Sequence, residues 1–141
     1  MNKRQIVAQL LVGLGSLNML AGAGLHLFAG YPRVSAALAA SNLNGPLANA
    51  MRAVFLMIGF TWITIAVVTL IAAFTQTRIR KILVLFCGFS LLAGIPIWVG
   101  LMGWFIGNEM FLLSGVLITF GGFLLPPSKK PWPLIANSLT C

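Results

Sequence analysis

His26, Arg52 and the Asn108-Glu109 pair are the residues of this chain with chemistry to offer, each an ionisable or strongly hydrogen-bonding group beside long apolar runs. An imidazole can donate or accept a hydrogen bond near neutral pH. A guanidinium can clamp a carboxylate, a phosphate or a polar headgroup, and Glu109 can accept a proton or act as counter-ion to Arg52. Polar groups at membrane depth are costly, so each one is a candidate site. Taken together, His26, Arg52 and Glu109 would hold the polar head of a ligand. Tyr31, Arg33 and Trp104 would serve as walls, and Trp98 and Trp104 would lie along the ligand's body. The same residues admit a structural reading. Arg52 and Glu109 then form an ion pair between two helices, and His26 bonds a backbone carbonyl. Glu109 itself stands where a helix dipole favours an acid.

Neither reading supplies a catalytic residue. With a single His and a single acid, no side-chain metal cluster assembles easily, and no metal site is assigned. The two cysteines, Cys87 and Cys141, fall on different elements and support neither a disulfide nor a metal pair.

The elements that must position these groups follow from composition. Of 141 residues, 60% are apolar and only 7% charged, against roughly 25% charged in an ordinary soluble domain. Mean hydropathy is +1.02. Such a surface suits lipid. The net charge of +8 comes from nine Lys and Arg against one acid. The cations sit in short clusters between apolar runs (Lys3-Arg4, Arg78 with Arg80-Lys81, Lys129-Lys130) rather than in a stripe, so they read as topology signals and not as a nucleic-acid surface.

The expected fold is an all-α membrane protein: a bundle of four transmembrane helices over about 6–30, 53–75, 82–104 and 109–125, the first of them long enough at about 1.5 Å per residue to cross a core of about 30 Å. Residues 1–126 form a single domain and 127–141 a short tail. The apolar start also has features of a signal peptide, but the run continues through Leu25, Leu27 and Phe28 and reads as a first span. Tyr31-Pro32 is expected to stop that span, Asn44-Gly45-Pro46 to make a turn, and Pro96 to bend the third helix. Seven Lys and Arg flank one side and two, Arg33 and Arg52, the other. Both termini are therefore expected in the cytoplasm, with Tyr31 and Trp104 near the outer interface and Trp132 near the inner one.

Membrane helices pack through small residues and a few interhelical hydrogen bonds. Gly15, Asn18, Gly22 and His26 share one face of the first helix, and Arg52, Gly59, Ala66 and Ala73 recur every seven residues in the second. Ser90 and Gly94 lie one turn apart in the third; Gly115, Thr119 and Gly122 line the fourth. Asn18, near mid-membrane, is expected to bond another helix. Gln9 is expected to matter little.

Over residues 10 to 125 this layout resembles the DoxX-like group of small bacterial four-helix membrane proteins. The resemblance is carried by a Gly-rich first helix, a Pro- and Ala-containing outer loop, and Met51-Arg52-Ala53 with Gly59 seven residues after the arginine. It implies a compact four-helix bundle and, for some members, a link to quinone-dependent sulfur oxidation or redox membrane complexes. Only Arg52 and Gly59 carry across.

The expected role is that of a small multi-pass protein of the cell inner membrane, a non-catalytic accessory subunit or oligomeric component. Its partners are the lipid bilayer, further copies of itself or other membrane subunits, with no nucleic acid. The alternative is binding of a hydrophobic small molecule, a quinone or lipid, in an outer-leaflet pocket, as part of a redox system. A small transporter ranks third, because Glu109 falls at a helix end and not at the midplane.

Overall fold

The computed structural model describes residues 2–75, 77 and 79–127. Arg78, Lys129, Lys130, Trp132, Cys141 and all of the expected tail but Pro127 lie outside the described residues. Every regular element among those described is helical: α1 (Lys3–Gly24), a π-helical segment (Leu25–Gly30), α2 (Tyr31–Ala39), α3 (Gly45–Phe74), α4 (Arg80–Met102) and α5 (Ile106–Leu124). They supply four helices long and apolar enough to cross a membrane: Lys3–Ala39, Gly45–Phe74, Arg80–Leu101 and Ile106–Leu124. The shortest has 19 residues; at about 1.5 Å per residue it comes close to the thickness of the hydrocarbon core and falls within the usual length of a span.

Three boundaries differ from the sequence expectation. Tyr31-Pro32 does not end the first helix. Proline brings no N–H to continue an α-helical ladder, but a local π turn re-satisfies the freed carbonyls. The backbone widens over Leu25–Gly30, the Tyr31 N–H bonds the His26 carbonyl, and Pro32 enters the first turn of α2. Asn44-Gly45-Pro46 starts a helix where a turn was expected. The Asn44 Oδ1 accepts from the Leu47 N–H at 3.0 Å, as an N-cap does, and Pro46 fits the first turn that follows. With 30 residues, α3 is about 45 Å long and outreaches the hydrocarbon core. Arg52, expected to open the second span, therefore sits two turns inside the helix. The last loop is Gly103–Phe105, turned by Gly103 at φ 74°. Asn108 is thus inside α5, buried, with its Nδ2 donating to the Gly103 carbonyl at 2.9 Å.

The helices alternate in direction. Arg4 and Lys81, at the starts of α1 and α4, both reach the Phe123 carbonyl at the end of α5, and Gln9 reaches Ala73 at the end of α3. Helix α1 packs closely on α5 and α3, and α4 on α5, whereas α3 and α4 meet sparsely.

Small residues make these contacts. A Cβ added to Gly15 would lie 2.9 Å from Ile118, and one on Gly59 2.5 Å from Leu27. Gly115 and Gly122 face Leu92 and Leu85 of α4. Ala66 and Ala73 are fully buried, while Gly22 meets Met110. Gly94 has a different place from the one expected: nothing outside its own helix approaches it, and the close contact of α4 is at Gly88, against the Thr119 backbone.

Polar side chains of α1 tie the bundle together. Asn18 Nδ2 donates to the Met110 carbonyl and to Ser114 Oγ, both at 2.9 Å. Ser16 and Thr69 share a hydrogen bond of 2.8 Å, and Gln9, far from idle, is buried with its Nε2 3.1 Å from the Ala73 carbonyl. Replacing Asn18 with leucine is expected to destabilise the bundle by about 1 kcal/mol, the usual worth of such a bond between membrane helices. Equilibrium unfolding in mixed micelles measures it, and an unchanged midpoint would show that Asn18 contributes no net stability.

Candidate functional site

The sparse meeting of α3 and α4 leaves space inside the bundle. A cavity of about 450 Å³ is lined from every span, by Met19 and His26 of the first, Ile58 and Trp62 of α3, Trp98 of α4 and Phe111 of α5, among others. That volume lies within the roughly 300–1,000 Å³ of small-molecule sites. The lining is apolar apart from His26, Ser114 and, on the exposed side, Arg33. A second, smaller cavity of about 220 Å³ shares Ile58, Trp62, Trp98 and Phe111 with the first and continues between α3 and α4 to Thr61 and Ser90. Both of those residues are exposed. This second space adjoins the first and opens sideways on the outer surface of the bundle, the surface that faces lipid if these spans lie in a membrane.

His26 is held on the π-helical segment. Its Nε2 lies 2.8 Å from the Phe55 carbonyl oxygen. The Phe55 ring stacks on the imidazole with centroids 3.7 Å apart and planes 9° from parallel, and Trp62 tilts against it at 4.6 Å. Trp62 in turn meets Phe111 edge-on at 4.4 Å. Such contacts fix ring orientation and add to simple burial. Gly59 makes room for this arrangement, since a Cβ there would sit 3.2 Å from His26 Cδ2. The result is an aromatic wall running from the π-helical segment through α3 to α5, with one imidazole in it.

Of the residues expected to form a site, the structure places His26 and Trp98 in the cavity lining, with Arg33 on its exposed side, and leaves Tyr31, Arg52, Trp104 and Glu109 outside it. Tyr31 stands behind Phe55, at a ring-centroid distance of 6.4 Å. Arg52 turns to its own end of the bundle, with Nη1 2.8 Å from Asn49 Oδ1 and Nη2 3.5 Å from the Ser35 carbonyl. Among the described residues no ion pair joins Arg52 to Glu109. The Glu109 carboxylate is exposed and accepts from the Trp104 indole at 3.2 Å, so these two residues pair with each other at the surface. Among the cavity residues that sequence reasoning passed over are Phe55, Ile58, Phe111 and Ser114. Ordinary apolar residues and one serine carry no signal in a chain composed of their kind; only their convergence identifies them.

No protein-family model, no curated protein and no solved structure matches this chain.

Proposed function

We propose that this protein binds an apolar small molecule of the membrane, a quinone or another lipid, in the cavity between its four spans. The observation that carries the reading is the cavity itself, apolar, walled by Trp62 and Trp98, provided with one oriented imidazole and adjoined by a second space that opens between α3 and α4. A tightly packed bundle has no need of such a space, because closing it would gain contacts for its whole lining. A sideways opening suits a ligand that arrives from the bilayer. A DoxX-like affiliation belongs with this proposal; it rests on the four-span layout with Arg52 and Gly59, and it favours a quinone among the candidate ligands.

The test is native mass spectrometry from lipid nanodiscs, comparing wild type, Ile58→Trp and Arg52→Ala. Ile58 lines both cavities, so a larger ring there is expected to displace the bound molecule. Arg52 lines neither, and its substitution is expected to leave the bound mass in place. Wild-type protein that carries no small molecule would end this reading.

A second reading has its own support. In α3 and α4 only 17% and 22% of the spanning window is buried, against 39% and 44% in the first and last spans. Large side chains such as Phe60, Phe86 and Ile97 point away from the bundle. Those faces suit lipid, a further copy of this chain or another subunit of an inner-membrane complex, and an accessory role would use them. In the same spectra, a stable larger assembly without bound ligand would favour it.

A further inference from the structure

The two ring nitrogens of His26 stand in different situations. Nε2 is 2.8 Å from the Phe55 carbonyl, and because a carbonyl oxygen only accepts, Nε2 carries the hydrogen. In the neutral ring the other nitrogen, Nδ1, then holds a lone pair and can only accept. Among the described residues it has no hydrogen-bond partner, it is not closed to a water-sized probe, and its ring lines the cavity. The ring cannot readily turn to exchange the two edges. Phe55 covers one face, Trp62 leans on it, and the Cδ2 edge is against Gly59. The acceptor is therefore oriented before any ligand arrives.

We infer that the ligand's head is a hydrogen-bond donor, a hydroxyl group, bound by the Nδ1 lone pair of His26. This rests on the proposed reading of the cavity as a ligand site and narrows it to one chemical class: amphiphiles with an alcoholic or phenolic hydroxyl on an apolar body. Molecules that only accept, such as ketones, ethers and quinones in the oxidised form, leave Nδ1 without a partner. The unmet bond is the discriminating element, because a site built to pair one hydroxyl rejects an analogue lacking it far more strongly than shape alone allows. Size agrees with the chemistry. At about 450 Å³ the cavity is within the roughly 300–1,000 Å³ of sites that take small amphiphiles.

The probes are farnesol and its methyl ether, which share one apolar body and differ only at the head. Binding is measured to the full chain in lipid nanodiscs. Farnesol is expected to bind about tenfold more tightly, the worth of one hydrogen bond in a desolvated site. His26→Phe keeps a ring to stack on Phe55 and is expected to bind both probes alike. A readout on unaltered protein comes from the chain's single histidine, since selective ¹⁵N labelling reports His26 alone. The spectrum is expected to show a neutral ring protonated at Nε2, with the Nδ1 resonance moving upfield on addition of farnesol and staying still with the ether. Equal binding of the two probes to wild type, tighter binding of the ether, an Nδ1-protonated ring or an imidazolium each overturns the donor-head inference while leaving the apolar cavity as a ligand site. Binding of neither probe overturns both.

Discussion

Gly121→Ala is expected to destabilise the bundle by about 3 kcal/mol, the upper end of the usual cost of overpacking. The added methyl carbon would lie 2.6 Å from Val12 Cγ2, 2.9 Å from the Ala8 carbonyl oxygen and 3.1 Å from the Val12 nitrogen. A side-chain tip can swing aside, but two of these three atoms are α1 backbone. The helix as a whole must move, and Ala8 and Val12 are themselves fully buried in the core. Gly88→Ala is expected to behave similarly at the α4–α5 contact, where the Thr119 nitrogen and Cα would lie 2.9 and 3.1 Å away. Gly13→Ala is the control: nothing stands within 4 Å of its added carbon, and alanine favours a helix interior by about 0.5–1 kcal/mol. Reversible unfolding in mixed micelles ranks the three. If Gly121→Ala proves as harmless as Gly13→Ala, α1 and α5 do not approach as closely as described.

This contrast also shows what could be read from the residues. Four spans were legible because long apolar runs bounded by cations leave few alternatives in a chain so poor in charge. The small-residue stripes of α1, α3 and α5 were legible as well, since Gly15, Gly59, Gly115 and Gly122 recur at helical spacing. Which neighbour each glycine serves was not. Gly88 and Gly121 stand beside residues equally suited to the role, and only the interhelical distances single them out. Helix boundaries failed where local signals act in context. Proline reads as a stop, yet the π turn before Pro32 and the Asn44 cap before Pro46 both use it to begin a helix.

The candidate site shows the same limit more sharply. His26 follows Gly22 by four residues and was assigned the face of Gly15 and Asn18, which meet α5. At the widened turn it bonds α3 instead, and no periodicity in the sequence announces that change. The expectation that His26, Arg52 and Glu109 converge rested on their shared end of the bundle. Sharing an end fixes depth but leaves direction around the helix open. Arg52 and Glu109 lie near that end and find partners there, Arg52 on α3 and α2 and Glu109 in the adjoining loop, whereas His26 and Trp98 reach the interior.

At the opposite end, Arg80→Leu is expected to cost about 3 kcal/mol, from the loss of part-buried hydrogen bonds that a charged donor makes to helix-end carbonyls. In sequence Arg80 belongs to a basic cluster and reads as a topology signal reaching for water. In the structure it is 1% exposed. Its Nη2 is 2.8 Å from the Pro126 carbonyl and its Nη1 3.4 Å from that of Thr75. Thr75 caps the C-terminus of α3, and Pro126 follows the cap of α5. Helix C-termini leave carbonyls unsatisfied and gather partial negative charge. One guanidinium at the start of α4 therefore answers the ends of two other helices. Arg80→Lys is expected to recover only part of the loss, because an ammonium is a point donor and lacks the planar fork that serves two acceptors. Arg4→Leu is the comparison: Arg4 also bonds a carbonyl at the end of α5, Phe123 at 3.4 Å, but is exposed, and surface substitutions of this kind usually fall within about 0.5 kcal/mol. Both cations leave the same end of the bundle, so a cost that followed charge alone would be equal for the two. Unfolding free energies that differ by several-fold place the effect in burial and hydrogen bonding; equal ones would mean that Arg80 is not the clamp that its geometry describes.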